Sequence, residues 1–202
     1  MNEKIFLASG NPGKLAEFFG LAGPGELPTP RLDLALLPDF SSLPAFDESA
    51  PTFAEIAAGK ALHYSRLVGA LILADDSGLV VPALGGRPGV RSARYGGPDA
   101  TSAERNERLL REMRNFAGGE RRAYFVCALA LARRGRAIAI VTARADGEIL
   151  HAPRGARGFG YDPIFYVRDR DQTFAELPME QKNQLSHRGK AFRRMAQFIS
   201  AI

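Results

Sequence analysis

Two long apolar runs, residues 122–132 and 136–145, stand back to back around Arg133-Arg-Gly-Arg136. A connection this short cannot carry a crossover, so two strands here can only pair antiparallel. Helical patterns occupy much of the remaining chain. The combination predicts a mixed α/β sheet flanked by helices and disfavours a regularly alternating parallel one.

The stretch with the most chemistry is Leu71-Ile-Leu-Ala-Asp75-Asp76-Ser77-Gly78-Leu-Val-Val81. Four apolar residues suit a buried strand, and Ser77-Gly78 suits a turn that ends it, with residues 79–84 as a second short strand. Buried carboxylates are costly unless paired, hydrogen-bonded or on a metal. Successive strand residues face opposite ways, so Asp75 and Asp76 would do different jobs, one towards a cleft and one towards a support. On these residues alone a polar turn after a core strand serves equally well.

The rest of the chain punctuates clearly. Residues 5–8 read as a first strand, with no sign of a signal peptide before them. Ser9-Gly-Asn-Pro-Gly13 reads as a turn, and residues 14–19 as the helix after it. Strand, glycine-rich loop and helix together aim backbone N–H groups at an anion. This is no Walker A loop, because Ala8 stands at its first glycine and Leu15 follows Lys14. Residues 20–30 read as a loop, 32–37 as a strand and 38–51 as an irregular connection bearing Asp47 and Glu48. Thr52-Phe-Ala-Glu55 carries a capping-box signature and opens a helix to about Val68, with Lys60 on it. Residues 85–89 read as a turn and 90–97 as an arginine-bearing loop. Thr101 to Glu104 caps a helix to about Phe116, and Asp146-Gly147 reads as a tight turn. Residues 155–162 form a glycine and aromatic loop, 164–167 a strand, and Ser186 or His187 starts the closing helix.

Composition narrows the function. Hydrophobic residues make up 46% of the 202 residues and charged ones 24%, as in ordinary globular proteins. A formal charge of +5 suits an anionic partner, but basic and acidic residues are interspersed and no basic tail occurs, which favours a nucleotide over nucleic acid. Cys127 is the only cysteine and sits in an apolar run, so a buried thiol is expected and no internal disulfide is possible. No run approaches membrane-spanning length, and a cytoplasmic protein with no membrane partner is the expectation.

Several segments together resemble the inosine/xanthosine triphosphate pyrophosphatase family. They are Ser9-Gly-Asn-Pro-Gly-Lys14, Thr52-Phe53 with Lys60-Ala61, Ala74-Asp-Asp-Ser-Gly-Leu79 and Leu84-Gly-Gly-Arg-Pro-Gly89. Ser92-Ala-Arg-Tyr95, Gly158-Phe-Gly-Tyr-Asp-Pro163 and Ser186-His-Arg-Gly189 continue the series in family order. The resemblance implies one pyrophosphatase domain over 1–202, two lobes around a long curved mixed sheet with the active-site cleft between them, a homodimer, Mg²⁺ and release of pyrophosphate. One position departs: Ile56 stands where the family usually has asparagine.

Cleaving a nucleoside triphosphate needs charge neutralisation, a metal and an activated water. The resemblance places Mg²⁺ on Glu48 and Asp76, with Asp76 also taking or orienting the proton of water and Asp75 as support or second carboxylate. Lys14 and Lys60 would face the phosphates, with Ser9, Gly10, Asn11, Pro12, Gly13 and Ser77 supplying hydrogen bonds. The base is expected between Phe159, Gly160, Tyr161 and Asp162 on one side and Lys182, Ser186, His187 and Arg188 on the other. Phe159 offers a stacking face, and Arg188 or a loop N–H a donor to a 6-keto group that adenosine lacks. Guanosine shares that keto group, so the donor does not separate it. The expected substrates are ITP, dITP and XTP. A pyrophosphatase for modified pyrimidine nucleotides and a non-catalytic nucleotide- or RNA-binding module are the competing readings.

Overall fold

A computed structural model describes residues 4–23 and 32–201. The expected loop at 20–30 therefore lies mostly outside the described residues. Strands β1 (Ile5–Leu7), β2 (Leu34–Leu36), β3 (Leu71–Val80), β4 (Arg122–Arg133), β5 (Arg136–Ile149), β6 (Phe165–Val167) and β7 (Gln172–Thr173) form one sheet. Its order is β2-β1-β3-β4-β5-β6-β7. β1 runs parallel to β2 and β3, and every later pairing is antiparallel, so the sheet is mixed. The helices are α1 (Pro12–Ala22), α2 (Phe53–Val68), α3 (Ser102–Glu112), α4 (Met179–Leu185) and α5 (His187–Ser200).

The helix starts follow from local chemistry. Pro12 sits in the first turn of α1, where a missing N–H costs nothing, and Asn11 caps it by accepting the N–H of Lys14 at 3.1 Å. The helix thus begins two residues before the expected start at Lys14. Thr52 caps α2 and Thr101 caps α3, the latter with a full reciprocal box to Glu104. Gly69, at φ 68°, ends α2 in the left-handed conformation that glycine adopts without penalty. The arginine-bearing segment after the 85–89 turn coils into a short 3₁₀ helix, Gly89–Arg94.

Two expected turns are absent. β3 runs unbroken through Ser77 and Gly78, which pair with Cys127 and Val126 of β4, and residues 79–80 continue it instead of forming a second strand. Gly78 serves close approach: a Cβ there would lie 2.6 Å from the Gly89 carbonyl and 2.9 Å from the Phe53 ring. β5 likewise passes through Asp146 and Gly147, where a Cβ would meet the Tyr166 carbonyl at 2.5 Å. The short α4 and β7 carry no sequence pattern strong enough to have been anticipated.

The core is divided along β3. Leu71 and Leu73 face α1 and α5 with Phe18, Phe192 and Met195. Ile72 and Ala74 face α2 with Ala57, Ala61 and Tyr64. Leu79 enters a third cluster with Phe125, Phe165 and Phe174. Phe18, Phe165, Phe174 and Phe192 are fully buried, and each such side chain contributes about 2–3 kcal/mol of burial free energy. Between Ala74 and Leu79 the strand carries Asp75, Asp76, Ser77 and Gly78. Polar groups thus occupy the seam where the apolar clusters meet.

Candidate active site

Strand alternation separates the two aspartates. Asp75 shares its face with Ser77, whose hydroxyl donates to Asp75 Oδ2 at 3.2 Å. Lys14, from the first turn of α1, pairs with the same oxygen at 2.7 Å. Burial pushes the Asp75 carboxyl up, but the Lys14, Arg188 and Lys60 charges hold it below its usual range. It is a settled anion. Asp76 points the other way, is 8% exposed, and its Oδ2 is buried with no hydrogen-bond partner. Burial is the main reason its pKa stands at about 7, with Lys14 and Lys60 pulling down and Asp75 and Glu48 pushing up.

Lys60 projects from α2 towards both acids, donating to the Asp75 carbonyl at 3.3 Å and pairing with Glu48. Burial lowers its pKa, yet Asp75 and Glu48 more than compensate and the ammonium is stabilised. Arg94 approaches the second Glu48 oxygen at 3.8 Å. Residues from the 38–51 connection, α2 and β3 therefore converge. Lys14 joins them across β3.

The loop before α1 lies at the edge of this cluster. The Asn11 N–H donates to Ser9 Oγ at 3.3 Å, and Gly10, Asn11 and Pro12 are exposed around the N-terminus of α1. Gly13 is in close contact with Phe159, because a Cβ there would lie 2.6 Å from the ring.

Beyond Ser77 a cavity of about 90 Å³ opens, lined by Lys14, Ser77, Phe159, Tyr161, His187 and Arg188 among others. Behind it is a buried ionic network. Glu17 accepts from Lys182 at 2.5 Å and pairs with Arg188, while Lys182 also pairs with Asp162. Burial pushes the Glu17 carboxyl up, but Arg188 and Lys182 together bring it below its usual value. At Asp162 burial prevails over the pull of Lys182 and the pKa is raised. Asp162 Oδ2 also accepts the Phe159 N–H at 2.8 Å, fixing the aromatic loop. Arg188 continues to Ser77 Oγ at 2.8 Å, and its Nε is buried without a partner. Its guanidinium carbon and Lys182 Nζ lie 5.5 and 5.0 Å from the Phe159 ring centroid, within cation–π range. His187 stacks on Phe125 with centroids 4.7 Å apart and planes 9° from parallel, leaving Nδ1 buried and unpartnered. Burial, reinforced by the neighbouring Arg188, Lys182 and Lys14 charges, keeps this imidazole neutral at pH 7.

Ser186 is the one base-side candidate that does not line the cavity, since it is buried as the cap of α5 and accepts the Gly189 N–H at 3.1 Å. The sequence reading missed Glu17, Ser92, Asn106 and Phe125. Tyr161 donates to the Ser92 carbonyl at 2.9 Å, and Asn106 donates to the Gly160 carbonyl at 3.1 Å. Both hold the aromatic loop. Ser92 stands in the Ser92-Ala-Arg-Tyr95 segment of the family resemblance, and the short spacing from Lys14 to Glu17 could have drawn attention to Glu17.

The donor set suits Mg²⁺. Among the described residues no group of three or more His, Cys, Asp or Glu side chains is arranged to hold a metal. Mg²⁺ is commonly held by one or two carboxylates and completes its shell with phosphate oxygens and water. The unpartnered Asp76 oxygen and the half-buried Glu48 carboxylate supply donors of that kind.

Fold and site define an α/β protein in which an acid-and-lysine cluster adjoins an aromatic pocket, a form suited to a small ligand with an anionic tail. The chain belongs to the Ham1 family, whose model matches residues 5–198. It is 47% identical over 193 residues to the dITP/XTP pyrophosphatase of Geobacillus kaustophilus, covering 96% of this chain and 92% of the relative. It is 49% identical over 191 residues to that of Thermus thermophilus, covering 94% and 88%. The HAM1 protein from Coxiella burnetii superposes with a TM-score of 0.84 at 39% identity, covering 100% of both chains. The Staphylococcus aureus Ham1 protein gives 0.83 at 34%, covering 98% and 99%.

Proposed function

We propose that this protein hydrolyses the non-standard purine nucleoside triphosphates ITP, dITP and XTP to the monophosphate and pyrophosphate, with Mg²⁺ held by Glu48 and Asp76. The observation that carries this reading is the adjacency of the Lys14–Asp75 and Lys60–Glu48 pairs to the pocket of Phe159, His187 and Arg188. The relatives' names, dITP/XTP pyrophosphatase, agree with it.

Lys14, Lys60 and the N-terminus of α1 bind the triphosphate. Mg²⁺, when bound, supplies the charge that neutralises phosphate oxygens and lowers the pKa of water. Asp76 accepts the proton of the attacking water as its oxygen bonds to phosphorus, and the bond to the departing pyrophosphate breaks. Asp75, held by Lys14 and Ser77, fixes the strand beneath. Phe159 stacks on the base, and the unpartnered Arg188 Nε–H donates to the 6-keto oxygen. An adenine amino group would oppose that donor, and a buried donor left unpaired costs about 1–3 kcal/mol.

Pyrophosphate release should be compared for dITP, XTP and dATP with and without Mg²⁺. The expected result is Mg²⁺-dependent turnover at least about fivefold faster on dITP and XTP, the lower bound set by the roughly 1 kcal/mol of one lost hydrogen bond. Equal rates on dATP would reject the specificity. The same reading takes residues 1–202 as one two-lobed unit, working as a homodimer in the cytoplasm. No helix among the described residues is long and apolar enough to cross a membrane.

A further inference from the structure

Gly59 stands in the interior of α2, immediately before Lys60, where glycine costs about 1 kcal/mol relative to alanine. Its φ is not in the left-handed region, so the backbone does not require it. What uses the missing side chain is Phe46. A Cβ built on Gly59 would lie 2.9 Å from Phe46 Cε2 and 3.4 Å from Cε1, so the ring tip fills the notch. The same ring packs against His63, one helical turn further on, with centroids 5.8 Å apart. His63 Nε2 in turn bonds the Pro44 carbonyl at 2.8 Å. Two residues beyond Phe46, Glu48 reaches Lys60. The connection bearing Glu48 is thus fastened to α2 at adjacent points, aromatic at Gly59 and ionic at Lys60.

We propose that Phe46 and its Gly59 seat are positioning residues for Glu48, setting the affinity of the acidic corner for a divalent cation without touching cation or nucleotide. The proposal rests on the reading that Glu48 holds Mg²⁺. The ring tip, not the helix backbone, is the part free to move when the notch is filled. Gly59→Ala therefore displaces the loop while leaving α2 intact and better suited to helix. Groups that support a metal ligand from behind typically change affinity by about 10–100-fold, and an apolar seat should fall near the lower figure.

The test compares wild type, Gly59→Ala, Phe46→Ala, the double variant and Glu48→Gln by three measurements. These are Mg²⁺ titration of turnover, the Mg²⁺-induced rise in melting temperature without nucleotide, and hydrogen exchange of residues 43–51. The expected result for each single seat variant is a roughly tenfold higher half-saturating Mg²⁺. The melting shift should be smaller and exchange in 43–51 faster, with kcat and the KM for dITP restored at saturating Mg²⁺. The double variant should cost less than the two singles combined, because both act on the same contact, one by blocking the seat and the other by removing the ring. The proposal is overturned if Gly59→Ala only raises the melting temperature, with Mg²⁺ response and exchange unchanged. It is equally overturned if kcat stays low at saturating Mg²⁺. Should Glu48→Gln leave Mg²⁺ binding intact while exchange in 43–51 still quickens in Gly59→Ala, the seat exists but the metal role of Glu48 is wrong.

Discussion

Replacing Asp76 by asparagine should make the metal-free protein more stable at neutral pH while removing its activity. Burial and the nearby Asp75 and Glu48 charges raise this carboxyl from 3.8 to about 7 against the pull of Lys14 and Lys60. A carboxyl whose pKa is raised on folding favours the fold fully only below its unfolded value. That contribution falls as pH climbs and is gone above about 7. The rise of about three pKa units corresponds to about 4 kcal/mol, at about 1.4 kcal/mol per unit. An asparagine amide facing the same unpartnered position would itself cost about 1–3 kcal/mol, so the net gain at pH 8 is about 1–3 kcal/mol. The amide cost is independent of pH and cancels between conditions. Urea unfolding in EDTA at pH 5 and pH 8 should therefore show the difference between variant and wild type widening by about 2–3 kcal/mol towards pH 8. Mg²⁺ should narrow it by stabilising only the wild type. A difference that stays constant between the two pH values would refute the reasoning, because Asp76 would then be ionised throughout.

Two further substitutions probe the frame around the site. Glu17→Gln removes the carboxylate that holds Lys182 and Arg188, both buried, and should cost about 3–5 kcal/mol in the urea midpoint analysis. A loss under about 1 kcal/mol would show that solvent reaches the cluster. Gly78→Ala should cost at least about 1–3 kcal/mol, because the new Cβ lies 2.6 Å from the Gly89 carbonyl and backbone must move. A neutral effect in the same assay would restore the view of Gly78 as mere chain punctuation.

Gly78 and Gly147 show where the sequence was misleading. Each follows a polar residue and looks like a turn, because turns and close approaches use the same residue for the same reason, its missing side chain. What distinguishes them is a neighbour from elsewhere in the chain: the Gly89 carbonyl in one case, the Tyr166 carbonyl in the other. Short-range patterns do not contain that information. Caps do, because Thr52 and Thr101 satisfy N–H groups three residues away, and the helices they open begin where expected. The site divides similarly. Lys14 with its loop, and Asp75 with Asp76, stand out as polar groups against apolar runs. Glu17 does not, since a helix glutamate ordinarily faces solvent and its partners Lys182 and Arg188 lie 165 and 171 residues away.

The alternation of a strand explains why two adjacent carboxylates come to behave so differently. On one face Asp75 meets Lys14 and Ser77, with Arg188 behind Ser77, and these contacts keep it charged at any physiological pH. On the other face Asp76 has an oxygen that nothing satisfies. A fold selected for stability alone would place an apolar residue there, as it does at Ile72 and Ala74 on the same face. The exception falls at the seam between apolar clusters, where β3 comes within reach of α2 and the Glu48 loop. A buried acid left without a partner beside Lys60 and Glu48 is the feature on which the proposed metal-binding and proton-accepting role of Asp76 rests.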